Sequence, residues 1–201
     1  MVTVVAMFRD RIFYPLALLV IAAIIAGALS FGERSSLTDE QIIADGWQIS
    51  GPNLNELTIS PGSNGAYVDE DGGYIQLSQF TPDGEGPTSV GVFATLGPAH
   101  ERAFAGRELR LIFRARAGAI NPLDSFHVAY FPMEGPSSGW TEFDLTRDWQ
   151  DYHVTYTPPI IAALENVDLI AVFPGREGQS KTVDLASIRI EVTPDADGPN
   201  L

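Results

Sequence analysis

The chain has 201 residues, no cysteine and a formal net charge of −14 at pH 7. Without cysteine it can form no disulfide, and thiolate nucleophiles and cysteine-ligated zinc are excluded. The acidic excess argues against binding to nucleic acid or to anionic lipid, and it fits a soluble domain or one that meets a basic soluble protein.

An apolar run without a single charged residue extends from Ile12 to Phe31. A helix of about 20 residues is long enough to cross a hydrocarbon core about 30 Å thick. Arg9 and Arg11 precede the run, and basic flanks favour the cytoplasmic side. We therefore predict a single-pass protein of the bacterial inner membrane, with a cytoplasmic N-terminus at 1–11, a transmembrane helix at 12–31 and a periplasmic main domain.

A cleavable signal peptide is the alternative to a permanent anchor. Ala26-Gly27-Ala28 matches the small-residue cleavage pattern, and the preceding apolar stretch is short enough for a secretory signal.

The apolar run also carries small residues four positions apart, Ala22 with Ala26 and Ala23 with Gly27. This spacing lets a second membrane helix approach closely and predicts packing against other membrane-protein subunits. Alanine is also common in membrane helices that make no such contact.

The predicted membrane helix is followed by a linker at 32–46 that contains a short helix. Thr38 and Gln41 stand three residues apart, as in a capping box, and Gly46 is suited to the end of a helix. We predict that this helix lies near the membrane surface and joins the anchor to the domain.

From residue 47 onward, short β-rich runs alternate with clusters of Gly, Pro, Asn and Asp, which is typical of strands separated by turns. The predicted strands are 47–50, 57–60, 74–80, 90–96, 108–117, 126–131, 140–145, 152–157, 168–173 and 183–192. No amphipathic helix is predicted between them, apart from a turn at 160–165. Strands at this spacing predict an all-β domain at 47–193, an antiparallel β-sandwich (jelly roll), followed by a flexible tail at 194–201.

Alternation within the strands predicts which residues face the core. In the strand 108–117, apolar residues occupy every second position and arginines occupy most of the positions between them. Successive side chains of a strand point to opposite faces, so the apolar set is predicted to face inward and the arginines outward. The inward set is Leu109, Leu111, Phe113 and Ala115, and the outward set is Arg110, Arg114 and Arg116.

Three segments in the second half of the chain resemble a known class of domain. Residues 106–116 resemble the strand that opens its second half, Trp149 and Tyr152 resemble its Trp-x-x-Tyr corner, and 183–190 resemble its closing strand, with Asp184 before the last hydrophobic run. The class comprises the carbohydrate-binding-module-like, galactose-binding-like jelly rolls. The resemblance implies that fold; many such domains bind glycans and many others only dock proteins, so the ligand stays open.

A candidate glycan-binding surface lies on the strand predicted at 140–145. Trp140, Glu142 and Asp144 alternate along one face of it. An exposed indole can stack on a sugar ring, and carboxylates can accept hydrogen bonds from its hydroxyl groups. Tyr130 is predicted to extend this platform. The alternative is that Trp140 covers a sheet edge or contacts a partner protein.

A candidate metal site lies in the acidic turn Asp69-Glu70-Asp71-Gly72. Carboxylate oxygens on a tight glycine loop can bind calcium, and Asp69 and Asp71 are the candidate ligands. Jelly rolls of the resembled class often carry a structural calcium ion. The spacing does not match an EF-hand loop, so a solvated hairpin turn is the alternative.

No sequence motif indicates catalysis: we find no recognisable acid–base pair of carboxylates, metal-ligand cluster or phosphate-binding loop. We therefore predict a protein that is not an enzyme and needs no cofactor other than the possible calcium. The leading hypothesis is an accessory or stabilising subunit of an inner-membrane complex, for example one of photosynthetic or respiratory electron transport, docked through its membrane helix and its β-sandwich. The alternative is a membrane-tethered carbohydrate-binding module of the cell envelope.

Overall fold

The computed structural model of the protein describes residues 20–21, 37–79, 91–160, 167–175 and 181–194. It divides into two compact units, Met1–Leu37 and Thr38–Leu201. In the first unit, Val20 and Ile21 are helical. Across the described ranges, no helix combines the length and the apolar character that crossing a membrane requires.

The predicted membrane anchor is not tested by the structure. Apart from two residues, the span 12–31 lies outside the described ranges, as do residues 1–11, predicted to be cytoplasmic, and the tail from residue 195 onward. The same holds for the predicted helix-packing residues, which are Ala22, Ala23, Ala26 and Gly27.

The second unit consists of two antiparallel β-sheets, which confirms the predicted all-β sandwich. The six-stranded sheet has the order β3-β4-β11-β6-β9, with β1 also paired to β11. Its strands are β1 (Trp47–Ser50), β3 (Ser63–Val68), β4 (Tyr74–Gln79), β6 (Leu109–Ala117), β9 (Gln150–Tyr156) and β11 (Val183–Val192). The five-stranded sheet has the order β2-β5-β10-β7-β8. Its strands are β2 (Thr58–Ile59), β5 (Val92–Leu96), β7 (Ser125–Phe131), β8 (Thr141–Asp144) and β10 (Asp168–Phe173).

The main core contains the inward side chains of both sheets. The four apolar residues predicted to face inward on β6 are at most 1% exposed, whereas Arg110 and Arg114 are exposed. On β11, Ile188 and Ile190 are buried in the same core, while Glu191 is exposed on the opposite face. Alternation of apolar and charged residues therefore predicted the orientation of β6 correctly, and Ile188, Ile190 and Glu191 of β11 follow the same rule.

The helix predicted after Thr38 is present as α1 (Asp39–Asp45). The Thr38 hydroxyl accepts a hydrogen bond from the amide of Gln41, whose side chain accepts one from the amide of Thr38, so the capping box is complete. Ile42 of this helix is only 1% exposed and belongs to the main core. The compact unit that contains the sandwich begins at Thr38 and includes α1, which buries its apolar residue Ile42 in the main core.

One strand and one α-helix are present that the sequence did not predict. The edge strand β3 was not predicted, because Asn64 and Gly65 are turn formers by composition. The helix α2 (Pro98–Phe104) was also missed, although Pro98 stands at its first turn. It is only seven residues long, which is too short for a clear helical repeat.

Candidate functional site

The outward face of the five-stranded sheet carries a second apolar cluster. It consists of Phe93, Ala129, Phe131 and Ala171, with Trp140 and Leu169 packed against it. Ala171 of the central strand β10 pairs with Phe93 of β5 on one side and with Ala129 of β7 on the other. The cluster therefore spans three adjacent strands on the face that points away from the main core.

Trp140 is the partly exposed aromatic residue of this outer cluster. Its ring lies edge-on to Phe131, with 5.3 Å between ring centroids, and 5.9 Å from Phe173. Phe93, Phe131 and Phe173 are each at most 8% exposed. The phenylalanine rings thus form the support for Trp140, and an edge-to-face contact of this kind holds an indole in a defined orientation.

Polar groups lie beside the aromatic cluster, where β8 pairs with β7. Glu142 is opposite His127 and Asp144 is opposite Ser125. The Ser125 hydroxyl donates to Glu142 Oε1 at 2.7 Å, and His127 Nε2 lies 3.9 Å from Glu142 Oε2. Because the Glu142 side chain is 60% exposed, its carboxylate can accept further hydrogen bonds from outside the protein.

His127 is a site residue that the sequence analysis missed. Its ring packs 5.8 Å from Phe173, and its buried Nδ1 has no hydrogen-bond partner in the described part of the chain. The signal available in the sequence was its position in β7 between the inward residues Phe126 and Val128, which indicates an outward side chain. Only the pairing of β7 with β8 and β10 brings it next to Glu142 and Phe173.

The prediction that Tyr130 extends the platform is wrong. Tyr130 is fully buried in the main core, whereas its neighbour Phe131 contacts Trp140 on the outer face. The two side chains point to opposite faces because they are consecutive residues of one strand. The aromatic residue of this pair that serves the platform is therefore Phe131.

Tyr130 instead joins a buried acidic group at the inner side of the sheet. Its hydroxyl donates to Asp168 Oδ2 at 2.5 Å, and Asp168 Oδ1 accepts the amide of Met133 at 3.1 Å. Glu101 is also buried, and neither of its carboxyl oxygens has a hydrogen-bond partner among the described residues. Burial, reinforced by the negative charge of Asp168, raises the pKa of Glu101, and burial with the Asp168 hydrogen bond raises the pKa of Tyr130.

The predicted calcium ligands are not brought together with a third acidic ligand. Asp71 lies in a turn with a positive φ of 51°, and its carboxylate accepts a hydrogen bond from Arg116 at 3.2 Å. Within the described ranges, no group of three or more histidine, aspartate or glutamate side chains is placed to bind a metal. The Asp71 carboxylate is thus paired with the Arg116 guanidinium group. Calcium binding through Asp69 and Asp71 stays a prediction.

Comparisons with known proteins bear on the fold. No model of a protein family matches the chain, and no curated protein matches it. Solved structures do match: the CBM22-1 and CBM22-2 xylan-binding domains of Paenibacillus barcinonensis Xyn10C each have a TM-score of 0.52 and 10% identity, covering 73% of this chain and 92% and 99% of their own. A structure described as "CBM4 structure and function" is 21% identical, with a TM-score of 0.47, and covers 73% of this chain and 86% of its own.

Identities this low establish similarity of fold, not of ligand. The TM-scores of 0.52 show that this chain shares the fold of the two CBM22 domains, and in this chain that fold is a sandwich of two antiparallel sheets. The domain that begins at Thr38 is therefore a β-sandwich of the carbohydrate-binding-module type, as the resemblance of its sequence segments implied.

Proposed function

We propose that the protein is a non-catalytic glycan-binding module that binds sugar through the outward face of its five-stranded sheet. The observation that carries this proposal is the partly exposed Trp140, held edge-on by Phe131 beside the free side of the Glu142 carboxylate. Such an arrangement offers one flat apolar surface and one hydrogen-bond acceptor side by side. These are the two features that a sugar ring requires of a protein surface.

The chemistry of the surface favours a neutral sugar. The apolar face of a pyranose ring can stack on Trp140, and its hydroxyl groups can donate to Glu142 and to Asp144 further along β8. Anionic sugars would be repelled by these carboxylates, because like charges at short range are unfavourable. The two structural neighbours named as xylan-binding domains suggest xylan oligosaccharides as the first neutral probe.

The proposal includes the membrane anchor predicted at 12–31, with the sandwich held in the periplasm. A tethered module of this kind would keep glycan at the outer surface of the inner membrane. The predicted role as accessory subunit of a membrane complex has no support in the described residues or in the comparisons, so the carbohydrate-binding alternative is the better founded one.

Calorimetric titration of the full chain tests the proposal. The protein is held in a detergent without a sugar headgroup and titrated with xylohexaose, then with a panel of other neutral oligosaccharides. We expect saturable binding that Trp140→Ala abolishes. The matched control is Trp149→Ala, because Trp149 is also partly exposed but lies over Arg116, which belongs to the other sheet.

Thermal unfolding shows which variants are folded, so that loss of binding is not confused with loss of structure. Absence of binding to every neutral oligosaccharide in the panel would contradict the proposal. So would binding that persists unchanged in folded Trp140→Ala.

A further inference from the structure

The loop that carries Trp140 is long and contains residues that favour several backbone conformations. It comprises residues 132–140, between the end of β7 and the start of β8. Gly135 and Gly139 both have positive φ values, of 96° and 71°. The ladder between β7 and β8 ends at the pair of Val128 with Thr141, so sheet hydrogen bonds do not fix Trp140 itself. A loop of this kind loses much conformational entropy when it is held in one arrangement.

Three contacts hold this loop in place: one from Asp168 of β10, one from Tyr156 of β9 in the facing six-stranded sheet, and one from the backbone of Tyr130 in β7. At its start, the amide of Met133 donates to Asp168 Oδ1 at 3.1 Å. In its middle, the Tyr156 hydroxyl donates to the carbonyl oxygen of Pro136 at 2.5 Å. Near its end, the amide of Ser138 donates to the carbonyl oxygen of Tyr130 at 3.0 Å, and the Ser138 hydroxyl accepts the amide of Tyr130 at 2.8 Å.

Asp168 lies at the centre of these contacts. It is 3% exposed, and it accepts from the loop through Oδ1 and from the Tyr130 hydroxyl through Oδ2. The Tyr130 ring in turn lies 5.0 Å from the ring of Tyr156. A buried carboxyl group with two donors is held rigidly, because any movement would leave buried polar atoms without hydrogen-bond partners.

We infer that Asp168 and Tyr156 are positioning residues for the glycan site: Asp168, on the inner side of the five-stranded sheet, and Tyr156, on the facing six-stranded sheet, fix the loop and thereby the orientation of Trp140 on the outer side. The inference rests on the proposed function for its biological meaning. Neither residue would touch the sugar. Their effect would be to present the indole already oriented, so that binding does not have to order the loop.

The test uses Asp168→Asn and Tyr156→Phe in the full chain. The asparagine has one carbonyl oxygen in place of two carboxylate oxygens, so it cannot accept from both Met133 and Tyr130 in the same way. The phenylalanine removes only the hydroxyl that holds Pro136. The matched control is Tyr152→Phe, because Tyr152 is also partly buried against the core on β9 but its hydroxyl accepts from Thr146, outside the loop.

Two measurements are made on each variant. The first is the affinity for the oligosaccharide that the wild type binds, and the second is the indole N–H resonance of Trp140, assigned with Trp140→Phe. We expect both test variants to shift the Trp140 resonance and to weaken binding about threefold to tenfold, which is the range for loss of one hydrogen bond. Tyr152→Phe should leave both quantities unchanged.

The inference is overturned if the folded test variants keep the wild-type Trp140 resonance and affinity, or if Tyr152→Phe shifts the resonance equally. If Asp168→Asn does not fold, Tyr156→Phe decides the outcome alone. If the wild type binds no glycan, the proposed function fails, but the Trp140 resonance still shows whether these residues position the indole.

Discussion

Arg116 donates from Nε to the fully buried carboxylate of Asp184 at 3.0 Å, across the pairing of β6 with β11. Asp184 also accepts from Gln76 at 3.1 Å. The Arg116 guanidinium carbon lies 4.3 Å from the ring centroid of Trp149 and 5.2 Å from that of Tyr74. Two residues that carried the sequence resemblance, Trp149 and Asp184, therefore meet in one charge-paired cluster of the six-stranded sheet and stabilise the fold.

Removal of Arg116 is expected to destabilise the domain strongly. Arg116→Met leaves the Asp184 carboxylate buried without its cation, and breaking one side of a buried pair costs about 3–5 kcal/mol. Urea unfolding measures the change. The control is Arg114→Met, since the side chains of Arg114 and its partner Asp151 are 48% and 40% exposed. That pair should contribute about 0–1 kcal/mol, and equal losses in the two variants would contradict the prediction.

Glu101 is expected to make stability depend on pH. Burial and the charge of Asp168 raise the pKa of Glu101 above its ordinary value of 4.5. The stability that protonated Glu101 contributes to the folded state is therefore fully present below pH 4.5. It is lost as the pH rises through the higher pKa that Glu101 has in the folded state. Glu101→Gln cannot ionise, so its unfolding free energy relative to wild type should increase over that interval, by about 1.4 kcal/mol for each unit of pKa difference.

Urea unfolding of Glu101→Gln and wild type at several values between about pH 4 and pH 8 checks this expectation. Glu108→Gln, which removes an exposed carboxylate, is measured in parallel as the control. A difference for Glu101→Gln that stays flat, or that falls as the pH rises, would be evidence against a burial-raised pKa.

Gly46 is expected to tolerate no side chain. It ends α1 with φ 70° and ψ −151°, and a Cβ atom there would collide with the backbone oxygen of Ile190. Gly46→Ala should therefore cost at least about 2 kcal/mol of unfolding free energy. Gly72→Ala is the matched control, because Gly72 has φ 88° and a Cβ atom there would meet no heavy atom within 4 Å, so only about 1 kcal/mol of backbone strain is expected. Similar losses for both would refute the role of the Ile190 contact.

The capping box of α1 is expected to contribute measurably to the stability of the whole domain. Thr38→Ala removes the side-chain acceptor for the Gln41 amide and should cost about 1 kcal/mol. Thr38→Ser keeps that hydroxyl and should remain close to wild type. Because Ile42 of the same helix is part of the main core, the loss should appear in global unfolding rather than in local fraying. Thermal and urea unfolding that detect no loss in Thr38→Ala would rule this out.

Much of the sandwich was predictable because its strands are short β-rich runs separated by clusters of turn-forming residues. The predicted limits of β1, β10 and β11 agree with the structure. β3 was not predictable in this way, because it is an edge strand with a glycine and no inward apolar series. Gly65 lies close to the facing side chains: a Cβ atom there would lie 2.8 Å from Cδ1 of Ile59, which belongs to the other sheet, so the Ile59 side chain would have to shift.

The sequence predicted only those residues of the candidate site that lie close together in the chain. Trp140 and Glu142 were identified because they occupy alternate positions of one segment, and the pairing of Glu142 with His127 confirms that Glu142 faces the outer side. The supporting partners Phe93 and Phe173 could not be identified, since no local pattern states which strands become neighbours. The prediction for Tyr130 was wrong for a related reason: the sequence did not show which face of β7 its side chain takes.

The sequence by itself determined the local features of this protein: the apolar span, the capping box, the positions of most strands, and the inward and outward sets of β6. These depend on neighbours within a few residues, so the order of residues is sufficient to specify them. The tertiary structure alone decided which strands pair, and with that the contact of Trp140 with Phe131 and Phe173, the burial of Glu101, and the link from Asp168 to the Trp140 loop. Such contacts join distant parts of the chain, and they are selected by packing of the whole core rather than by any one segment.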